Sequence, residues 1–144
     1  MAHAASPNAY SDAAQPERPV KPAILRGAMG RCPSCGHGRL FKGYLTVRAA
    51  CPHCGEELHH QRADDGPAYL TILLVSHLGA PLLLAIFMAY RPSAMAMLIG
   101  FGLGAVVLSL LLLPRIKGGM IGFQWARRMH GFGGNSARVE AGAP

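Results

Sequence analysis

The sequence predicts a membrane protein: a two-helix transmembrane hairpin, with a small β module ahead of it and a short interfacial helix behind it. Three observations predict this. Two apolar stretches, 68–90 and 93–113, carry no formal charge with His77 neutral, and only Arg91-Pro92 separates them. All four cysteines fall within residues 32–54, before those stretches. Thirteen of the fourteen lysines and arginines lie outside residues 68–113, in the two flanks.

At 144 residues the chain is long enough for one small domain. Charged residues make up 15% of it, where soluble proteins carry about 25%. The net charge of +7 divides as +2 over residues 1–67, +1 over 68–113 and +4 over 114–144. Runs of like charge in such flanks fit a solvated face or a membrane-side anchor better than nucleic-acid binding. Residues 1–25 are rich in Ala, Pro and polar side chains. They lack the apolar core of a secretory signal and are expected to form a disordered tail.

Residues 26–62 hold the chemistry. Cys32-Pro33-Ser34-Cys35-Gly36 returns as Cys51-Pro52-His53-Cys54-Gly55, giving C-x2-C-x15-C-x2-C, a spacing of structural zinc sites. Two residues between cysteines let both thiolates point at one ion. The trailing glycine can take positive φ and turn backbone N–H groups toward the sulfurs. Two such turns supply the closed tetrahedral shell of structural Zn²⁺. Residues 39–42 and 44–49 are expected as strands about a turn at Gly43, so the module is zinc-ribbon-like. Leu40, Phe41, Leu45 and Val47 are its apolar packing. That is too little to fold the segment alone, so metal binding would supply the folding free energy.

Two alternatives stay open for the cysteines. One is a thiol-disulfide oxidoreductase or metallochaperone using the two Cys-Pro-x-Cys pairs. The other is a different thiolate-bound metal, such as an iron–sulfur cluster. A redox pair wants a helix opening at the motif to lower a thiol pKa, whereas a glycine follows each pair here. Zinc on four thiolates would also cancel the +2 of residues 1–67, which weighs against nucleic acid as a partner. His37, His53, His59 and His60 crowd the same region, as a second metal site or as solvated polar residues. Glu56-Glu57 and Asp64-Asp65 read as surface and helix-cap residues. No nucleophile–base–acid order and no phosphate-cradling glycine loop stands out, so neither catalysis nor a small-molecule substrate is expected.

Residues 63–118 form the hairpin, with helices over about 68–90 and 93–113. Each would span about 30–35 Å, against a hydrocarbon core of about 30 Å. Asp64-Asp65-Gly66-Pro67 suits the start of the first helix. Pro114 suits the end of the second, with Arg115 and Lys117 beside its carboxyl end. The positive flanks place both termini in the cytoplasm and Arg91 outside, in a multi-pass protein. Ala96, Gly100 and Gly104 recur at helical spacing, and Ser76 and Ala80 match them in depth. These small residues can pack the hairpin together, or the Gly100-x3-Gly104 face can bind another subunit. His77 stands at membrane depth, where an ionisable residue is a functional candidate. Pro81, four residues on, should free its carbonyl and kink the helix. A neutral His77 hydrogen-bonded across the helix interface is the favoured reading; a haem or proton role is the other.

Residues 119–144 complete the chain. Within 119–132, Ile121, Trp125, Met129 and Phe132 share a helical face, and Arg127 and Arg128 can reach anionic head groups. This predicts an interfacial helix against membrane lipids, followed by a flexible tail. The alternative is a loosely ordered basic tail.

The order of these motifs resembles a known family. It runs from the Arg31-Cys32-Pro33-Ser34-Cys35-Gly36 knuckle through its twin to "ADDGPAYLTILLVSH", a short hairpin and Pro114-Arg115-Ile116-Lys117-Gly118. The chain resembles the domain-of-unknown-function family 983, small bacterial membrane proteins, over about residues 26–130. The resemblance implies residence in the bacterial inner membrane. Some members are encoded beside haem-copper oxidase genes, which makes cytochrome oxidase a candidate membrane-protein partner. The expected function is a non-catalytic adaptor or assembly factor for a membrane complex.

Overall fold

The computed structural model describes residues 17–132; the tails expected over 1–16 and 133–144 lie outside them. The elements run α1 (Val20–Ala28), α2 (Gly66–Tyr90) and α3 (Ala94–Ala126), closed by a single 3-10 turn at Met129–Gly131. The cysteine module occupies the chain between α1 and α2.

The first helix is a correction to the expected tail: residues 20–25 are helical. A helix of nine residues is too short to hold in water by itself, and its stability comes from α3. Ala23 and Gly27 are its buried positions. They lie on Gly118 and Gly122 so closely that a methyl group at Gly27 would overlap the Gly118 carbonyl. One at Gly122 would overlap the carbonyl of Ala23. Ala23-x3-Gly27 against Gly118-x3-Gly122 is thus a backbone-to-backbone crossing of the small-residue type. Ala23 and Gly27 make the closest approach, and the half-buried Val20 and Ile24 flank them on the same face.

Both α2 and α3 are long and apolar enough to cross a membrane, and their apolar windows bury nothing within the protein. Pro67 sits in the first turn of α2, where its missing N–H costs nothing. The helix ends where Arg91 adopts a left-handed conformation, φ 46°, and its N–H bonds to the Phe87 carbonyl. Pro92 follows, and the Ser93 hydroxyl oxygen accepts from the Ala96 N–H at 3.3 Å, capping α3.

Pro114 does not end the second helix. It lies inside α3, which continues for another twelve residues to Ala126. A proline in a helix strands the carbonyl four residues back, here that of Leu110. The structure supplies a replacement donor: the Tyr44 hydroxyl, from the cysteine module, donates to the Leu110 carbonyl. The expected interfacial helix is therefore the last stretch of α3. Its apolar face turns inward, with Ile121 and Trp125 only 0% and 7% exposed. Trp125 is accordingly a core residue, whereas Arg127 is exposed.

The hairpin packs one residue away from the expected stripe. Its half-buried positions are Val75, Gly79 and Ile86 on α2, and Met97, Phe101, Ala105 and Ser109 on α3. Val75, Ile86, Met97 and Phe101 are the bulky members of this seam, while a Cβ at Gly79 would meet nothing within 4 Å. Ser76, Ala80, Ala96, Gly100 and Gly104 line an open cleft of about 800 Å³ beside that seam. A side chain added at Gly100 or Gly104 would meet nothing within 4 Å. His77 also departs from expectation: its Nδ1 lies 2.8 Å from the Leu73 carbonyl of its own helix, not across the interface. The imidazole reaches back one turn because that carbonyl is the nearest acceptor on its own face.

The buried core sits at one end of the molecule. Ala23 of α1, Leu40 and Leu58 of the module, and Ile121 and Trp125 of α3 form one cluster.

Candidate metal centre

The module is built from turns rather than strands. Among the described residues its only sheet-like pairings are three isolated antiparallel bridges, Arg31 with Arg39, Phe41 with Val47 and Ala50 with Glu57. The strands expected over 39–42 and 44–49 reduce to the second of these. The segments are short, and each is pulled into a knuckle before a ladder can propagate.

The two knuckles share the closing glycine hydrogen bond and differ by one residue in the span of the second. The Gly36 N–H donates to the Cys32 carbonyl at 2.9 Å, and the Gly55 N–H to the Cys51 carbonyl at 3.0 Å. The Cys32 N–H donates to the Gly38 carbonyl and the Cys51 N–H to the Glu56 carbonyl, at 2.8 and 2.9 Å. Gly36 and Gly55 both hold positive φ, 73° and 74°, which side chains with a Cβ resist. Leu40 and Leu58 are fully buried beneath the knuckles.

These turns bring Cys32, Cys35, Cys51 and Cys54 together, with all four sulfurs within 4.8 Å of one another. Cys32 Sγ lies 3.8 Å from Cys54 Sγ, and Cys35 Sγ 3.8 Å from Cys51 Sγ. That is far beyond a disulfide. It matches the edge of a tetrahedron, about 3.8 Å, around an ion with metal–sulfur bonds of about 2.3 Å. The close pairs join the two knuckles rather than the two cysteines of one motif. A methyl group at Gly38 would overlap the Cys51 sulfur, so backbone closes tightly over that ligand. The donor set and its spacing fit a metal ion.

The thiols differ electrostatically. Burial pushes the Cys32 thiol up, against the N–H groups of Cys35 and Ser34. Burial also raises Cys54, and its neighbours Cys51 and Cys35 add to the rise. Burial works against ionisation at Cys35 too, but the N–H groups of Gly38 and His37 outweigh it and the thiol falls to about 6.

A polar clamp fixes the module to the helices. The Trp125 indole N–H donates to Glu56 Oε1 at 2.9 Å. The Arg18 guanidinium lies over the Trp125 ring at 4.4 Å and donates to the carbonyls of Trp125 and Phe132. Gln124 grips the Arg62 backbone twice, accepting from its N–H and donating to its carbonyl. Arg26 of α1 donates to the carbonyls of Pro33 and Ser34 in the first knuckle. Sequence reasoning missed Arg18, Arg26, Glu56 and Gln124. Gln124 alone left a signal, as an uncharged polar residue amid the apolar positions Ile121 and Trp125. The four histidines pair off around the knuckles, His37 stacked with His53 and His59 tilted over His60.

A hairpin long and apolar enough to span a membrane, joined to a compact four-cysteine module, defines a class: chains that carry, at one end of such a hairpin, a knuckle pair able to hold a metal ion. Within that class the chain belongs to a family. The family model described as Protein of unknown function (DUF983) matches residues 41–125, more than half of the chain. Comparison with the curated proteins and with the solved structures returns no match.

Proposed function

We propose that this protein is a non-catalytic adaptor or assembly factor of the bacterial inner membrane, with a structural Zn²⁺ in its four-cysteine module. The spacing of the four sulfurs carries the reading, because it is that of a tetrahedral zinc–thiolate shell. Cys32, Cys35, Cys51 and Cys54 would hold the ion, and the ion would supply folding free energy to a module with few apolar residues of its own. Exposed leucines along the hairpin, such as Leu78, Leu82, Leu98 and Leu103, support residence in lipid, since soluble surfaces do not carry apolar patches of that extent. The excess of Lys and Arg in both flanks supports cytoplasmic termini. The module then stands at the cytoplasmic surface beside whatever membrane complex it serves, and cytochrome oxidase is the candidate that the family resemblance suggests.

The test is metal analysis of the full chain purified in detergent, alongside Cys51→Ser. One zinc per chain, lost in the variant, is the expected result. A metal-free protein that keeps a protease-resistant module would overturn the zinc reading. Crosslinking in native membranes tests the adaptor role. Recovery of no membrane-protein partner, from cells where the protein is abundant, would count against it.

A further inference from the structure

The metal centre is open on one side. Cys32 and Cys51 are buried, Cys35 is half-buried and Cys54 is exposed. Beside the half-buried Cys35 lie two exposed imidazoles, one from each knuckle. His37 and His53 stack with ring centroids 5.1 Å apart and an interplanar angle of 23°. The ligand atoms of Cys35, His37 and His53 all lie within 4.8 Å of one another, so these residues form a second ligand set that shares Cys35 with the first.

The His37 ring is held by its own knuckle. Its Nδ1 lies 2.8 Å from the Cys35 carbonyl. A carbonyl only accepts, so Nδ1 carries the proton and the Nε2 lone pair is free. Metal-bound histidines are held this way, with the distal nitrogen donating to a carbonyl or carboxylate. His53 is fixed by its own backbone, whose N–H points at the Cys51 sulfur at 3.4 Å. Each imidazole is thus mounted on the same turn that positions a thiolate.

We propose that Cys35, His37 and His53 form a port through which Zn²⁺ enters and leaves the four-cysteine site. This rests on the zinc reading above. A closed tetrathiolate shell exchanges slowly, because a thiolate must leave before an incoming ligand can bind. At the port the first two zinc–sulfur bonds lost are each replaced by a zinc–nitrogen bond: Cys54, the exposed ligand, is displaced by one imidazole, and one buried thiolate by the other. The second buried thiolate is then displaced by a donor atom of an external acceptor, while Cys35 stays bound, and the three released thiolates take protons from water. The ion is then held by one thiolate, two imidazoles and the acceptor, four ligands at every stage.

The experiment uses zinc-loaded full chain in detergent and follows transfer to the chromogenic chelator 4-(2-pyridylazo)resorcinol in excess. Zinc content at equilibrium is measured in parallel. The His37→Ala/His53→Ala variant should keep one zinc and release it more slowly than the parent. His59→Ala/His60→Ala, remote from the port, should exchange at the parent rate. An unchanged or faster rate in the first variant, with zinc retained, overturns the port and leaves the zinc reading intact. Absence of zinc from the parent protein defeats the zinc reading itself. If the alanine variant loses zinc, His37→Asn/His53→Asn is the second arm. Loss there too makes the histidines structural supports and overturns the port, whereas retention with slow release upholds it.

Discussion

Tyr44 and Pro114 depend on each other. The proline withholds an N–H from the Leu110 carbonyl, and the tyrosine hydroxyl provides one. Tyr44→Phe should therefore destabilise the junction by about 1 kcal/mol. In a Pro114→Ala background, where the backbone N–H returns, the same change should be close to neutral. Thermal unfolding in detergent of the four proteins of this double-mutant cycle reads the coupling directly. The cysteines give a second residue-level prediction. In metal-free protein Cys35, at about 6, should alkylate first, with half-maximal rate near that pH, and Cys32 last; mass mapping after a timed iodoacetamide pulse shows the order. Cys35 is depressed from the ordinary thiol value of 9.0, so between those values the unfolded chain binds more protons than the folded one. Its contribution to the stability of the metal-free module should therefore rise with pH across that window and be lost on acidification through about 6.

At the scale of elements, glycines with the same sequence spacing have opposite roles. Gly118 and Gly122 carry α1 on their backbone, while Gly100 and Gly104 face open space. Gly122→Leu should unseat α1, at a cost of about 2 kcal/mol or more from overpacking. Gly104→Leu should leave α1 in place. Hydrogen exchange over residues 20–28 distinguishes the two, and equal protection in both would contradict the crossing. The sequence could not rank these stripes. Helices that are apolar all round do not show which face meets a neighbour, so the seam at Val75 and Phe101 escaped notice and the stripe one residue away was chosen. Likewise Ala23 reads as tail and Gly27 as the start of the cysteine module, because close backbone packing needs no bulk. Pro114 reads as a stop, because the replacement donor, Tyr44, lies sixty-six residues before the Leu110 carbonyl that it serves. The four cysteines were legible because a knuckle is a local device, written in five consecutive residues and then repeated.

At the scale of the whole molecule, module and helices are one body joined at Trp125. It is the single tryptophan in the chain, and its bond to Glu56 lies two residues beyond Cys54. Removing the metal should release Glu56 from the second knuckle and admit water to the indole. Chelation of the loaded protein should shift tryptophan emission to the red and raise its quenching by acrylamide. Unchanged emission after complete zinc removal would mean that the clamp stands without the metal. The hairpin and the metal ligands were readable from one pass along the chain. The docking of one on the other was not, because it uses isolated polar contacts among Arg18, Glu56, Arg62 and Gln124, each ordinary in its own neighbourhood.

The unbroken course of α3 has a mechanical consequence. A helix of 33 residues is about 50 Å long, and this one runs without interruption from the hairpin turn to the metal centre. In the bilayer of the proposed function it would act as a lever. Helices tilt when the bilayer thins or thickens, and over that length a tilt of about 10° carries the far end through about 9 Å. Because Trp125 and Gln124 are bolted to the cysteine module, that displacement would move the whole four-cysteine head, and the thickness of the membrane would become a position above it.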